Sequence, residues 1–415
     1  MSAARKIAGR TFAALAVPNY RKYYIGQIIS NAGTWMQSVA QGWLILQLTD
    51  KNGFYLGISV ALQYLPMLLL GTYGGLVVDR SDKRHVLYVT QSSAGIFAVV
   101  LGVLVATGHA AVWQVFLLSL ALGVSNMFDV PARQAFIQEM VGRDLIANAV
   151  SLNSSLMNTG RLIGPAIATF ILAVWGTAAC FFVNAASYVA VLLALSLMKQ
   201  SDLTPIRTVQ RGKGQLRLGL HYAWSTPVLR RALLSVAVVG TFAFNFTVTL
   251  PLLVQRTFSD PEAGHYGLLM GAMGLGAIVG GFVIAYRARP SLGLLATLAV
   301  CFGVSMTGVA LAPNLTVAAL LLVPTGGFSI AFVSTANSTL QLNSTEEMRG
   351  RVMSLHATAF LGSTPIGAPI IGGLVNLTNP RVGLAVGAVL TLATGAALIR
   401  SYRQHSAESV TAESN

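Results

Sequence analysis

Apolar runs of about 20 residues, the length a helix needs to cross a bilayer core, recur from end to end of this 415-residue chain. They lack the alternation of barrel strands. The spanning element is therefore the helix, which satisfies its own backbone hydrogen bonds. Only 10% of residues are charged, against about 25% in a soluble domain. With 54% hydrophobic residues, there is too little polar surface to face water all round. Lipid must be the main solvent.

The apolar runs predict spans at 23–48, 55–78, 86–107, 113–137, 147–173, 177–198, 230–255, 265–286, 291–312, 316–341, 352–376 and 381–400. Only Trp175, Gly176 and Thr177 separate the fifth from the sixth. The N-terminus is basic but has no short apolar core before a small-residue cleavage site, so the first run reads as a retained helix. Charge placement tests this map. With the N-terminus in the cytoplasm, the inside segments hold all 27 Lys and Arg except Lys51, Arg256, Arg381 and the intrahelical Arg161. The positive-inside rule predicts this bias, and a miscount of one helix would scramble it. Both termini are then cytoplasmic, and the location expected is a bacterial inner membrane.

The net charge of +14 needs no nucleic-acid partner. Its densest cluster, Arg207 to Arg231, follows the sixth span, where attraction to anionic lipid headgroups accounts for it. That loop divides the chain into a six-helix half over 1–198, a linker over 199–229 and a second six-helix half over 230–400. The polar stretch 401–415 reads as a disordered tail. A repeat crosses the divide. Ser151 pairs with Ser354, Leu152 with Leu355, Gly164 with Gly367, Gly123 with Gly326, Val130 with Val333 and Gln138 with Gln341, all 203 positions apart. An even number of spans separates the copies, so the halves are parallel, as in carriers that rock around a central site.

Mechanistic motifs fall at telling places. After the second span, "GGLVVDRSDKRHVL" contains Gly75, Asp79, Arg80, Lys83 and Arg84 in a tight cytoplasmic turn. A carboxylate among three cations can hold a neighbouring helix and release it as the halves move. In the fifth span, Gly160, Gly164 and Pro165 permit close helix contact and a bend. The first motif resembles the cytoplasmic loop of the major facilitator superfamily, with Asp82 in place of the usual glycine. The second resembles the antiporter motif of that superfamily's exporters, although its trailing glycines are absent. "FDVPARQAFIQEMV" from Phe128, "NAVSLNSSLMNTGRLIGPAI" from Asn148 and "RGRVMSLHATAFLGSTPIGAP" from Arg349 are similar to the branch containing the enterobactin exporter, the transmembrane secretion effectors. The resemblance covers both halves. It implies the all-α major facilitator fold and export, and leaves the cargo open.

Polar residues inside spans are candidates for the cavity. Gln27, Asn31, Thr34, Ser38 and Gln41 recur on one face of the first span. They would supply neutral donors and acceptors to a substrate, or else join helices. Gln37 lies off this stripe and reads as packing. Thr241 and Asn245 form a shorter counterpart in the seventh span, and Asn158 and Arg161 share a face of the fifth. Arg161 would receive an anionic substrate or pair with Asp129 of the fourth span; Arg133, four residues on, is the local alternative for Asp129. Proton-coupling candidates are Asp79, Asp129 and His356, the last reading first as a packed or hydrogen-bonded histidine.

No nucleophile elbow, acidic metal cluster or Cys/His site stands in a predicted loop, and Cys180 and Cys301 both lie in apolar runs. A phosphate-binding loop is also missing, so neither an enzyme nor an ATP-driven pump is indicated. The expectation is a monomeric secondary exporter of a small amphipathic molecule, working as a proton antiporter without cofactor or metal. An uptake symporter or facilitator, and a non-transporting receptor, are the competing readings.

Overall fold

The computed structural model describes residues 12–204, 215–259, 262–287 and 290–413, without the side chains of Asn158, 215–217, Ala263, Ala285, Arg287 and 402–413. Part of the basic linker, including Arg207, Arg211 and Lys213, lies outside the described residues. Among those described there is no β-strand. A short 3-10 turn, Ala13–Ala16, leads into α1 (Pro18–Leu48), α2 (Gly53–Arg80), α3 (Lys83–Ala106) and the 85-residue α4 (Val112–Ser196). Then come α5 (Gln215–Ser225), α6 (Pro227–Phe242), α7 (Phe246–Leu252), α8 (Ala263–Arg287), α9 (Leu292–Leu311) and α10 (Leu315–Leu342). The chain ends with α11 (Glu346–Leu361), α12 (Ser363–Leu377) and α13 (Pro380–Glu413).

Nine helical stretches among the described residues are long and apolar enough to cross a membrane. Helix α4 holds three of the spans read from the sequence. Gly142 (φ 72°, ψ −179°) and Gly176 (φ 77°, ψ −175°) interrupt it in a region of backbone space that is essentially glycine-only. Its segments are 112–141, 143–175 and 177–196. Helix α1 is not among the nine, because its polar side chains dilute the hydropathy of a 31-residue helix. Two other expected spans are broken: the seventh at Ala243–Asn245, between α6 and α7, and the eleventh at Gly362, between α11 and α12. Helix α13 runs on to Glu413 through the stretch expected to be disordered. Nothing in Ser401–Glu413 is a glycine or proline that would stop it.

The chain forms two compact units, Met1–Leu48 with Leu62–Gln210, and Thr49–Ala61 with Arg211–Asn415. Lipid gives helices no hydrophobic reason to associate, so close packing at small residues must do it. In the first unit α1 crosses segment 143–175 at Gly164, where an added Cβ would lie 2.7 Å from the Ala32 carbonyl oxygen. Helix α2 crosses segment 112–141 at Gly123, where a Cβ would meet the Gln63 carbonyl at 2.5 Å. Around the start of α1, Tyr20, Tyr23 and Phe136 form a buried aromatic core, with Phe136 edge-on to Tyr23 at 6.1 Å.

The second unit repeats these crossings. Gly326 of α10 abuts the Met273 carbonyl of α8, and Gly367 of α12 abuts the Thr241 carbonyl of α6. Both glycine pairs found at the 203-residue spacing thus mark equivalent helix crossings. The three cations read as lying outside also have work in this unit, donating to backbone carbonyls. Arg381 Nη2 reaches the C-cap of α9 at Ala312 (2.8 Å), Arg256 Nη1 the last turn of α12 at Val375 (3.0 Å), and Lys51 Nζ the Gln255 carbonyl (3.4 Å). Each complements the negative end of a helix or satisfies an otherwise orphaned carbonyl.

Candidate transport site

The turn after α2 uses its charges in several ways. Asp82, the departure from the family pattern, is the N-cap of α3, accepting from Arg84 N at 2.8 Å and His85 N at 3.2 Å. A glycine could not do this. Arg84 Nη2 donates to the Leu195 carbonyl at 2.6 Å, in the last turn of segment 177–196, and Lys22 Nζ reaches Leu197 O at 2.6 Å. Two cations therefore sit at the negative end of one helix. Lys83 Nζ lies 3.8 Å from Glu139 and 3.4 Å from the Asp79 backbone carbonyl. Gly75 is buried, Asp79 half-buried and Arg80 exposed.

The most concentrated polar chemistry surrounds Asp129, whose side chain is only 3% exposed. One carboxylate oxygen accepts from Thr90 Oγ1 at 2.9 Å and Gln91 Nε2 at 2.7 Å, both on α3. The other is paired with Arg133 Nη2, one helical turn on. Arg133 Nη1 continues to Gln27 Oε1 of α1 at 3.3 Å. The group thus joins α1, α3 and segment 112–141. It is incompletely satisfied: Tyr23 Oη, Gln27 Nε2, Gln91 Oε1 and Arg133 Nε are buried without a partner in hydrogen-bond range. Of the two pairings left open by the sequence, Asp129 makes the local one with Arg133.

The rest of the α1 stripe divides. Asn31 Nδ2 donates to Leu156 O at 2.9 Å, and Gln41 Nε2 to Ser119 Oγ at 2.9 Å, so both join helices. Gln37 does likewise, accepting from Asn184 Nδ2 at 2.6 Å. Thr34 is exposed, with its hydroxyl on the Ser30 carbonyl, and Ser38 is half-buried. Gly160 sits against the Asn31 side chain and Trp35, and Gly164 against Ala32 and Trp35. Pro165 lies within that helix, which continues unbroken through it. A largely apolar cavity of about 530 Å³ in this unit is lined by Ile28, Ile29, Met36, Gly160, Ile163 and Val183 among others, and by none of the α1 stripe.

Arg161 has a different neighbourhood. Its guanidinium lies over the Trp35 ring, 5.0 Å from the centroid, with Tyr64 of α2 in electrostatic range. Among the described residues no carboxylate pairs with it. The Asn158 side chain lies outside the described set.

In the second unit Thr241 Oγ1 bonds back to Ala237 O at 2.7 Å, and Asn245 Nδ2 to Thr241 O at 2.7 Å across the break. Phe244, within that break, contacts Phe360 (5.2 Å) and Phe302 (5.6 Å) edge-on. His356 is 6% exposed, stacked on Phe360 at 6.5 Å, with Nε2 lacking a partner. It is packed against an aromatic ring.

Sequence reasoning missed Thr90, Gln91, Tyr23 and Trp35. The consecutive polar pair Thr90-Gln91 inside an apolar run was an available signal. Trp35 carried none, since an aromatic residue in a span usually packs.

A family model described as transmembrane secretion effector matches residues 9–415. The chain is 28% identical over 329 residues to the staphyloferrin A transporter of Staphylococcus aureus (strain NCTC 8325 / PS 47), covering 78% of this chain and 81% of that protein. It is 25% identical to the multidrug efflux pump Tap of Mycolicibacterium fortuitum, with 84% and 87% covered. It is also 25% identical to the enterobactin exporter EntS of Shigella flexneri, with 88% and 86% covered. Among solved structures, the nucleoside transporter NupG superposes with a TM-score of 0.71 at 13% identity, covering 92% of this chain and 99% of that one. That likeness shows the fold. The long apolar helices, the recurring crossings and the match over nearly the whole chain agree: the protein belongs to the transmembrane secretion effector family of the major facilitator superfamily, and is a multi-pass membrane transporter rather than an enzyme.

Proposed function

We propose that this protein is a secondary active exporter of a small amphipathic molecule, driven by proton antiport across a bacterial cytoplasmic membrane. Its relatives named as siderophore transporters and drug efflux pumps support the direction and the cargo class. In this reading twelve spans form two parallel six-helix halves with both termini cytoplasmic, and the protein alternates access as a monomer. The loop bearing Gly75, Asp79, Arg80, Lys83 and Arg84 gates that motion, and Gly160, Gly164 and Pro165 give α1 and segment 143–175 a close sliding contact.

The observation that carries proton coupling is the buried Asp129–Arg133 pair. Protonating Asp129 cancels the charge attraction and frees Arg133 to donate to the unsatisfied Tyr23 Oη. Coupling thus becomes a switch in which one carboxylate on segment 112–141 is bonded to α3 in one state and relaxed in the other. Everted vesicles test this, using the cargo found by untargeted comparison of metabolites exported by deletion and overexpression strains. A proton gradient should drive accumulation, and Asp129→Asn should retain exchange while losing gradient-driven accumulation. Accumulation that survives a protonophore would sink the coupling.

A further inference from the structure

Segment 143–175 places Arg161 near its middle: 1.5 Å per residue gives about 27 Å to one end and about 21 Å to the other. A guanidinium at the centre of a spanning helix is costly to hold without a counter-charge. The Trp35 face beneath it offsets only part of that cost and leaves the balance open. The carboxylate that could have closed it, Asp129, is already held by Arg133, Thr90 and Gln91. The Asp129–Arg133 pair is neutral overall, so Arg161 remains as a net positive charge. Asn158, one turn away, cannot cancel it whatever its orientation.

The three groups at this place are all half-buried rather than sealed. A guanidinium with one face on an aromatic ring keeps its edge N–H fork free for a planar oxyanion. We propose that Arg161, backed by Trp35 and flanked by Tyr64, is an anion-recognition subsite, and that the cargo carries a carboxylate or acidic phenolate on an apolar, preferably aromatic, body. This rests on the carrier reading above and narrows its cargo. The anion supplies the missing counter-charge, while an aromatic body can pack against Trp35 and Tyr64.

The test uses the full-length protein in lipid nanodiscs and equilibrium dialysis with three labelled probes of one shape: 2-naphthoate, neutral 2-naphthamide and a 2-naphthyl quaternary ammonium. The acid should bind at least about tenfold more tightly than the amide, and the cation least. Arg161→Gln should abolish that preference by weakening acid binding most, and a melting temperature matching the parent's shows that the variant is folded. Arg161→Lys should keep part of the preference, as a charge without the fork. Equal affinity for acid and amide, an undiminished preference in Arg161→Gln, or no binding by any probe would overturn the proposal. Gradient-driven efflux without anion preference would reject this subsite and leave the carrier standing. Anion preference without gradient dependence would do the reverse.

Discussion

One substitution, glycine to alanine, should stabilise at one position and destabilise at two others, for three different physical reasons. At Gly271 in α8 the backbone is helical and nothing lies within 4 Å of an added Cβ. Alanine there removes only backbone freedom, so stability should rise by up to about 1 kcal/mol. At Gly176 the space is equally empty, but φ is 77° and ψ −175°. Any side chain is strained, at about 1–3 kcal/mol. Asparagine, which tolerates the ordinary left-handed region, should do no better than alanine, because ψ is wrong for it. At Gly164 the backbone is helical, but the new Cβ would stand 2.7 Å from Ala32 O and 3.0 Å from Met36 N. Those are backbone atoms, so α1 and segment 143–175 must move apart, at about 1–3 kcal/mol. Cys180 is free and fully buried, so a thiol-reactive dye in a Cys301→Ser background reports thermal unfolding in detergent. The expected order of melting temperature is Gly271→Ala above the parent, with Gly176→Ala and Gly164→Ala below it. A neutral Gly164→Ala, or a Gly271→Ala as harmful as the others, would refute the assignment of strain and contact.

Three further outcomes are expected. Asp82→Ala should cost about 1 kcal/mol through loss of the α3 N-cap, whereas Asp82→Gly, the residue common in the family motif, should cost only a few tenths by the same unfolding assay. Arg133→Ala should destabilise by about 3–5 kcal/mol by stranding the Asp129 carboxylate, and adding Asp129→Asn should recover a large part of that in a double-mutant cycle; additive losses would mean the pair is not coupled. Arg381→Ala should cost about 1.5–3 kcal/mol by removing a charged donor from the α9 C-cap, while Arg80→Ala, exposed, should stay within about 0.5 kcal/mol.

The membrane setting was legible because a bilayer imposes its thickness and its charge asymmetry directly on the chain. The internal repeat was legible because Gly123, Gly326, Gly164 and Gly367 lie where a side chain would force helices apart, so equivalent crossings keep the same residue type. The candidate site was only partly readable. The α1 stripe was identified by period, yet period cannot tell a cavity-facing amide from one bonded to a neighbouring helix. Asn31 and Gln41 are bonded to other helices, and Gln27 accepts from Arg133. Likewise Thr90 and Gln91 became functional candidates only once α3 lay beside Asp129.

By itself, the sequence determined that the chain spans a membrane many times, is built as a repeated pair and carries two ionisable residues, Asp129 and Arg161, deep inside predicted spans. Tertiary structure alone decided what those two residues contact. Asp129 has its counter-charge one turn away and its other bonds on α3, whereas Arg161 has an aromatic face and no described carboxylate. The physical reason is that the charge balance of an intramembrane residue is fixed by what other helices bring within a few ångströms. That distance is set by packing, and one-dimensional spacing does not encode it.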